Sequence, residues 1–267
     1  MLIPKLAANL PNFIDLAALS KRNLKIIGNG WATHATDHNK NRFRSFISLD
    51  ERFYELLGLY LAEGCVGRHG SSANLSLYFG KHEKALAERA KKLFSEVFGC
   101  GARIWRYKDC VRVDVTNSTI ADFFSEFGSR SEEKTILSGL IPYGDLNRAS
   151  ALFKGLVEGD GRVDYHQPSI RFSTSSPSLA GQVYLLLVSV GATPRIRVEP
   201  PASSYSRKLG RIIRGRHPSF YISVSGDNCE LLGFEVRERT SHKGMRTVST
   251  ENFMMIPIYG VEERPYD

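Results

Sequence analysis

The amino-acid sequence predicts an α/β (α+β) protein of two pseudo-symmetric αββαββα-type halves, packed through a pair of acidic motif helices. Three observations predict it. A long, degenerate repeat divides the chain, helical and alternating patterns follow one another in matching order in both copies, and the composition supports two cores. With 267 residues, 42% hydrophobic and 24% charged, the chain exceeds the usual size of a single core and suits two units of about 100 to 150 residues.

The repeat sets the organisation. RFYELLGLYLAEG (52–64) and ASALFKGLVEGDG (149–161) share one plan: an apolar helix, small residues four apart, an acid, then glycine. Their acids, Glu63 and Asp160, stand 97 residues apart (160 − 63). After the first motif come the alternating NLSLYFG (74–80), a helical KHEKALAERAKKLFSEVFG (81–99), short strands around ARIWRY and VRVDV, and a helical STIADFFSEFG (118–128). After the second come SIRFSTS (169–175), a helical SPSLAGQVYLLLVSVG (176–191), strands PRIRVE and FYISVS, and a helical GDNCELLGF (226–234). Each half thus reads helix, strand, helix, two strands, helix. The expected divisions are a lead-in segment or arm at 1–50, halves at 51–145 and 146–245, and a tail at 246–267.

Side chains two apart share one face of a sheet. In PRIRVE this sets Arg195 and Arg197 against Ile196 and Val198; in VRVDV it sets Arg112 and Asp114 against the valines; in SIRFSTS, Arg171, Ser173 and Ser175 share a face. Each half is expected to present a polar, partly basic sheet face, with helices covering the other. A single half-exposed strand shows as much, but several strands rich in arginine point further. The insertion SSYSRKLGRIIRGRH (203–217) adds a basic run beside the second sheet, a candidate for phosphate contact.

Lys and Arg outnumber Asp and Glu by 36 to 28, a formal net charge of +8, which favours an anionic partner. No stretch reaches the ~18 apolar residues of a membrane span, and no signal core follows the N-terminus, so the expectation is an intracellular protein without a membrane partner. Cys65, Cys100, Cys110 and Cys229 form no CxxC pair and read as reduced thiols rather than a zinc knuckle or a disulfide framework. His34 and His38 have helical ligand spacing, but no third ligand is near, and Gly28 and Gly30 favour a loop there.

Chemistry points to the acidic helices. Gly58 with Ala62, and Gly155 with Gly159, form smooth strips. Glycine inside a helix costs up to about 1 kcal/mol relative to alanine, so close backbone contact is the better reason for Gly155 and Gly159. Packing through those strips delivers Glu63 and Asp160 to the same end of the pair. Two carboxylates at helix C-termini, where the backbone already carries partial negative charge, call for a cation, and hard oxygen ligands suit Mg²⁺. A divalent ion there supports phosphodiester hydrolysis.

LLGLYLAEG (56–64) and FKGLVEGDG (153–161) resemble the paired motif of the LAGLIDADG homing endonucleases, and ISLDERFYELLGLYLAEG is most similar to their intein-associated and archaeal branch. The resemblance covers roughly residues 47–245. It implies a single-chain, site-specific double-stranded DNA endonuclease, monomeric with internal pseudo-two-fold symmetry. Its antiparallel sheets form a DNA-binding saddle over a long, weakly palindromic target that is cut with a stagger. It implies metal-binding, catalytic acids at Glu63 and Asp160, with Gly64 and Gly161 allowing close approach to Mg²⁺, for which Mn²⁺ substitutes. It also implies catalytic lysines after each half's last helix, matched by Lys134 and Lys243, that stabilise developing phosphate charge or orient water; a surface role is nearly as good for Lys243, where Arg237, Arg239 and Arg246 compete. DNA contacts are expected from Arg103, Arg106, Arg112, Arg171, Arg195, Arg197, Lys208, Arg211, Arg214 and Tyr221. Departures are Glu63 in place of the family's aspartate and the extra acid Glu158. Met1 and the closing PYD lack the splicing residues of an intein, so a free-standing enzyme is expected, with IPIYGVEERPYD a candidate intein remnant. The rival readings are an RNA maturase or a non-cleaving DNA-binding regulator of the same fold.

Overall fold

Each motif helix starts on an aspartate and stops on a glycine. In the computed structural model, which describes residues 2–4, 11–34, 42–164, 169–206, 210–235, 248–249 and 253–255, α1 spans Glu51–Glu63. The side chain of Asp50 accepts from the N–H groups of Arg52 and Phe53 at its start. The first half continues with β1 (Gly64–His69), β2 (Ser72–Gly80), α2 (Lys84–Phe98), β3 (Arg103–Arg106), β4 (Cys110–Val115) and α3 (Ser118–Ser125). The second repeats the order with α4 (Leu146–Asp160), β5 (Gly161–Asp164), β6 (Ser169–Thr174), α5 (Pro177–Ser189), β7 (Arg195–Glu199), β8 (Ser219–Ser225) and α6 (Asp227–Leu231). Asp145 caps α4 as Asp50 caps α1. These caps satisfy helix N–H groups that lack intrahelical partners.

The αββαββα order is therefore observed twice. Element by element, the sequence reading lacked one strand per half, β1 and β5, which follow their motif helices without a loop. Both sheets are antiparallel with the same neighbour order: β1-β2-β4-β3 in the first half and β5-β6-β8-β7 in the second. Leu75, Leu77, Val111, Val113 and Val115 point to the helix side and are buried, as are Ile170, Phe172, Ile222 and Val224. The first core is aromatic: Phe53, Phe94, Phe98, Phe123, Phe124 and Phe127 cluster with Tyr60, whose ring centroid lies 4.8 Å from that of Phe124. The second is aliphatic, built on Leu152, Leu156, Leu179, Val183, Leu186 and Leu187.

The expected covering of strand PRIRVE is corrected. Ile196 and Val198 do alternate with the arginines, yet they are 45% and 56% exposed. The helix α5 packs mainly on the inner strands β8 and β6, which leaves this edge strand open among the described residues.

Residues 11–34 and 42–48 are folded onto the first half. Leu24–Gly28 and Trp31–His34 form a hairpin whose tip, Asn29–Gly30, takes left-handed φ angles of 50° and 74°, the backbone demanded by a tight two-residue turn. The WATH stretch, expected as loop, is thus a strand; His34 approaches the Thr119 hydroxyl at 3.4 Å, and His38 lies outside the described residues. Trp31 abuts Gly99, where a Cβ would sit 2.4 Å from the indole. The Arg44 guanidinium stands 6.0 Å over the indole centroid and donates to the Glu96 carbonyl at 2.9 Å. Arg22 pairs with Asp122 on α3, which also holds Arg68 at 2.9 Å. Cys65, Cys100, Cys110 and Cys229 are free thiols; Cys100 and Cys229 are buried, Cys65 and Cys110 half-buried. Among the described residues no helix is long and apolar enough to cross a membrane.

Candidate functional site

The two motif helices touch backbone to backbone. A Cβ on Gly58 would lie 2.3 Å from the Leu152 carbonyl oxygen and 2.9 Å from the Leu156 nitrogen, and one on Gly155 would lie 2.3 Å from the Glu55 oxygen and 2.9 Å from the Leu59 nitrogen. Each contact is the other shifted by the 97-residue repeat (155 − 58), so the crossing is two-fold in character. Gly159 continues the strip: its Cβ would meet that of Ala62 at 2.5 Å and Glu63 Cγ at 3.1 Å.

Both helices then pass into strands without a turn. A Cβ at Gly64 would lie 2.6 Å from the Tyr60 carbonyl oxygen, and one at Gly161 2.6 Å from that of Val157. Any larger residue would block the helix-to-strand switch. The result places Glu63 and Asp160, the last residues of α1 and α4, side by side at the junction of the two sheets. Burial pushes the Glu63 carboxyl up to about 7, with the charges of Asp160 and Glu83 adding to the rise. Burial, then Glu83, also raises Asp160. A cleft of about 150 Å³ opens beside Asp160, walled by Ser131, Ser173, Thr174, Ser175 and Ser219.

Glu83 is the residue the sequence reading passed over. It stands just before α2, and its Oε2 accepts from the Gly80 N–H at 2.5 Å. A glutamate at a helix start is commonplace, so nothing local in the sequence marks it; only the fold turns that end of α2 toward the acids. Glu158, two residues from Asp160, does not join them. Its carboxylate faces Arg89 on α2 at 3.9 Å, and Arg89 pairs in turn with Glu55.

Lys134 is 2% exposed. Its ammonium donates to the carbonyls of Tyr60 at 3.0 Å and Gly64 at 2.7 Å and lies 3.7 Å from the Tyr60 ring centroid. It therefore seals the last turn of α1, where unpaired carbonyls carry partial negative charge. Its own carbonyl accepts from Ser176 Oγ at 2.6 Å, and Ser176 caps α5 of the other half. Burial lowers its pKa to about 7, against the raising influence of Cys65 and Glu133. Because the folded value lies below the ordinary 10.5, the cost of charging Lys134 is complete below about pH 7 and fades as pH rises toward 10.5. Between those values wild type should gain stability relative to Lys134→Met. Thermal unfolding across pH 7–10 measures this; parallel curves would refute it.

On the outer faces, strand register lines up the remaining candidates. In the first sheet Cys65, Ser76, Asp114 and Arg103 form one row, and Tyr78, Arg112 and Trp105 the next. In the second, Arg162, Arg171, Ser223 and Arg195 form one row, and Ser173, Tyr221 and Arg197 the next. Arg103, Arg171, Arg195 and Arg197 are exposed; the Arg171 guanidinium stands 5.9 Å over the Tyr221 ring, and Arg197 reaches Glu199 at 3.0 Å. Arg106 is corrected: it alternates onto the helix side, where its guanidinium comes within 4.0 Å of Glu88 on α2. Arg211 is exposed on a hairpin formed by Ser203–Ser206 and Arg211–Arg214; of Arg214 only the backbone is described. Lys208 and Lys243 lie outside the described residues.

No three His, Cys, Asp or Glu side chains gather as a metal-ligand cluster among the described residues. The pair Glu63 and Asp160 still fits Mg²⁺, which is commonly held by one or two carboxylates, with waters and substrate phosphates completing its octahedron. A cation between them would offset the repulsion that raises both acids.

Residues 148–218 match the family described as a LAGLIDADG-like domain. The chain is 25% identical over 258 residues, 92% of its length, to the ATP-dependent DNA helicase Hel308 of Thermococcus kodakarensis, and 27% identical over 53% of its length to the DNA-directed RNA polymerase subunit Rpo1C of Methanocaldococcus jannaschii. It spans only 22% and 16% of those two proteins. Among solved structures, that of I-DmoI in complex with DNA and Mn aligns over 72% of this chain and 100% of its own, at 12% identity and a TM-score of 0.49. Residues 148–218 thus carry a LAGLIDADG-like domain whose acidic helix packs against its own repeat in the first half.

Proposed function

We propose that this protein is a site-specific DNA endonuclease that hydrolyses both strands of a duplex at a stagger, using divalent metal held between Glu63 and Asp160. One observation carries the reading: the half-buried carboxylate of Glu63 and the more exposed one of Asp160 are forced together at the ends of a glycine-packed helix pair. That arrangement is unfavourable by itself and becomes useful when a cation and a phosphodiester enter. The LAGLIDADG-like domain at residues 148–218 and a net charge of +8 support a nucleic-acid partner.

Mg²⁺, or Mn²⁺ in its place, would supply Lewis acidity at the scissile phosphate and favour hydroxide as nucleophile. Glu63 and Asp160 would hold it. The cleft beside Asp160, walled by Ser173 and its hydroxyl neighbours, would give an attacking water its place. Lys134 keeps the end of α1 in place, and so the backbone that aims Glu63; the equivalent role for Lys243 belongs to this proposal. Phosphate contacts from the exposed arginines would make binding fall steeply with salt, and base contacts from the outer sheet rows would select the site.

This chain matches a minor part of both a helicase and an RNA polymerase subunit, two proteins with different tasks. A segment shared in that way behaves like a mobile insert, which supports the intein-associated reading.

The test is incubation of the purified chain with a library of long duplexes, with Mg²⁺, with Mn²⁺ and with EDTA. Cuts at one long site that require the metal support the endonuclease. Tight binding without cuts under all three conditions turns the reading to a maturase or a regulator.

A further inference from the structure

Most arginines on the outer sheet faces are exposed side chains. Arg112 is different. It sits mid-sheet between Tyr78 and Trp105 on the flanking strands, and its side chain is only 28% exposed. One terminal nitrogen lies 2.8 Å from Asp114 Oδ2. Asp114 is itself buried and fixed from behind, accepting from the buried Ser76 hydroxyl at 2.7 Å. The Tyr78 and Tyr107 ring centroids lie 5.9 and 5.3 Å from the guanidinium carbon, and Nε is buried without a partner. Two strands and a loop thus hold one guanidinium in one orientation, while 28% of the side chain stays open to solvent.

Such rigidity suits a particular target. A phosphate contact needs charge more than orientation, and a carboxylate 2.8 Å away offsets much of that charge. Reading a base edge needs orientation, and prior fixing lowers the entropy lost on binding. Guanine alone shows two acceptors, O6 and N7, in the major groove, and arginine is donor-only. Adenine would set its N6 donor against the fork.

The equivalent place in the second sheet is occupied differently. Arg112 precedes Val113, which is opposite Leu77, the partner of Gly64; Tyr221 precedes Ile222, which is opposite Phe172, the partner of Gly161. Where the first half has arginine, the second has tyrosine. On the reading that these sheets lie on DNA, we propose that Arg112 reads a guanine at one fixed position beneath the first sheet. The mirror position beneath Tyr221 carries no such requirement, so the target departs from its two-fold symmetry at that step.

The test is selection of bound duplexes from a randomised library, with Ca²⁺ in place of Mg²⁺ so that sites are held rather than cut, followed by sequencing. Wild type, Arg112→Gln, Arg112→Lys, Asp114→Asn and Arg103→Gln are compared, with thermal unfolding to confirm that each variant is folded. Wild type should enrich a guanine at one fixed distance from the centre on one side only. Arg112→Gln should reduce that preference about 10- to 100-fold, the discrimination expected of one bidentate pair, with other positions unchanged. Arg112→Lys and Asp114→Asn should relax the same position, the first by losing the fork and the second by freeing it. Arg103→Gln should weaken all sites alike. If Arg112→Gln weakens all sites equally, or the guanine recurs symmetrically on both sides, this inference fails while the DNA reading stands. A wild-type chain that enriches no sequence overturns both.

Discussion

Replacement of Gly155 by alanine should destabilise the protein by about 3 kcal/mol or more, at the upper end of what overpacking costs. The added methyl would have to stand 2.3 Å from the Glu55 carbonyl oxygen. That neighbour is helix backbone, so no side chain can swing away, and relief requires the helices to separate. For a domain of this size each kcal/mol is worth roughly 2–4 °C in Tm, giving a fall of about 6–12 °C by calorimetry. Gly58→Ala should behave alike, because its methyl meets the Leu152 oxygen at the same 2.3 Å. The double variant should cost clearly less than the two single ones together, since one displacement of the helices relieves both clashes. Additive losses would show that the two glycines do not share a contact. A displacement of that kind would also move the acids, so activity should fall further than stability.

Asp160→Asn should abolish DNA cleavage while making the metal-free protein more stable at neutral pH. Loss of a metal ligand removes several kcal/mol of transition-state stabilisation, about three decades in rate at 1.36 kcal/mol per decade. The stability change has the opposite sign. Glu63 has a folded pKa of about 7 against an ordinary 4.5, and Asp160 is raised as well. For a carboxyl raised in the fold, stability is greatest below the unfolded value and declines as pH climbs through the folded one. Without metal, wild type should therefore lose stability between about pH 4.5 and 7. Asp160→Asn removes one of these charges and its effect on Glu63, so its Tm against pH should be flatter and lie above that of wild type at pH 7.5. Adding Mg²⁺ should raise the Tm of wild type and leave the variant nearly unchanged. A variant that is less stable without metal, or that cuts as wild type does, would contradict the reading of this site.

The motif helices and the succession of the elements that follow them were legible because their signals are local and repeated. Small residues four apart, an acid and a glycine recur after 97 residues, and their packing consequence follows from helix geometry alone. The short strands β1 and β5 were not legible. They follow their helices without a turn, and GCVGRH and GRVD alternate too weakly to stand out. The exposure of Ile196 and Val198 depends on which strands a helix elsewhere in the chain covers, and the shift of Arg106 to the helix side on where a short strand begins. Lys134 was located by its place after the last helix of its half. Nothing in SRSEEKTI announces that its ammonium will be buried under Tyr60, because that requires the linker to be drawn in by Ser176 of the other half. Glu83 escaped for the same reason.

The reciprocal contact of Gly58 and Gly155 has the character of an isologous dimer interface enclosed in one chain. A surface that accepts its own repeat imposes two-fold symmetry on the helix crossing but not on the sheets beyond it. Covalent linkage removes the obligation that a true dimer would carry, that both protomers bear identical side chains. An aromatic core on one side and an aliphatic one on the other, and arginine at 112 where the other half has Tyr221, are what such release permits. The halves can diverge as separate modules, and the constraint that survives is a few ångströms of bare backbone at the crossing.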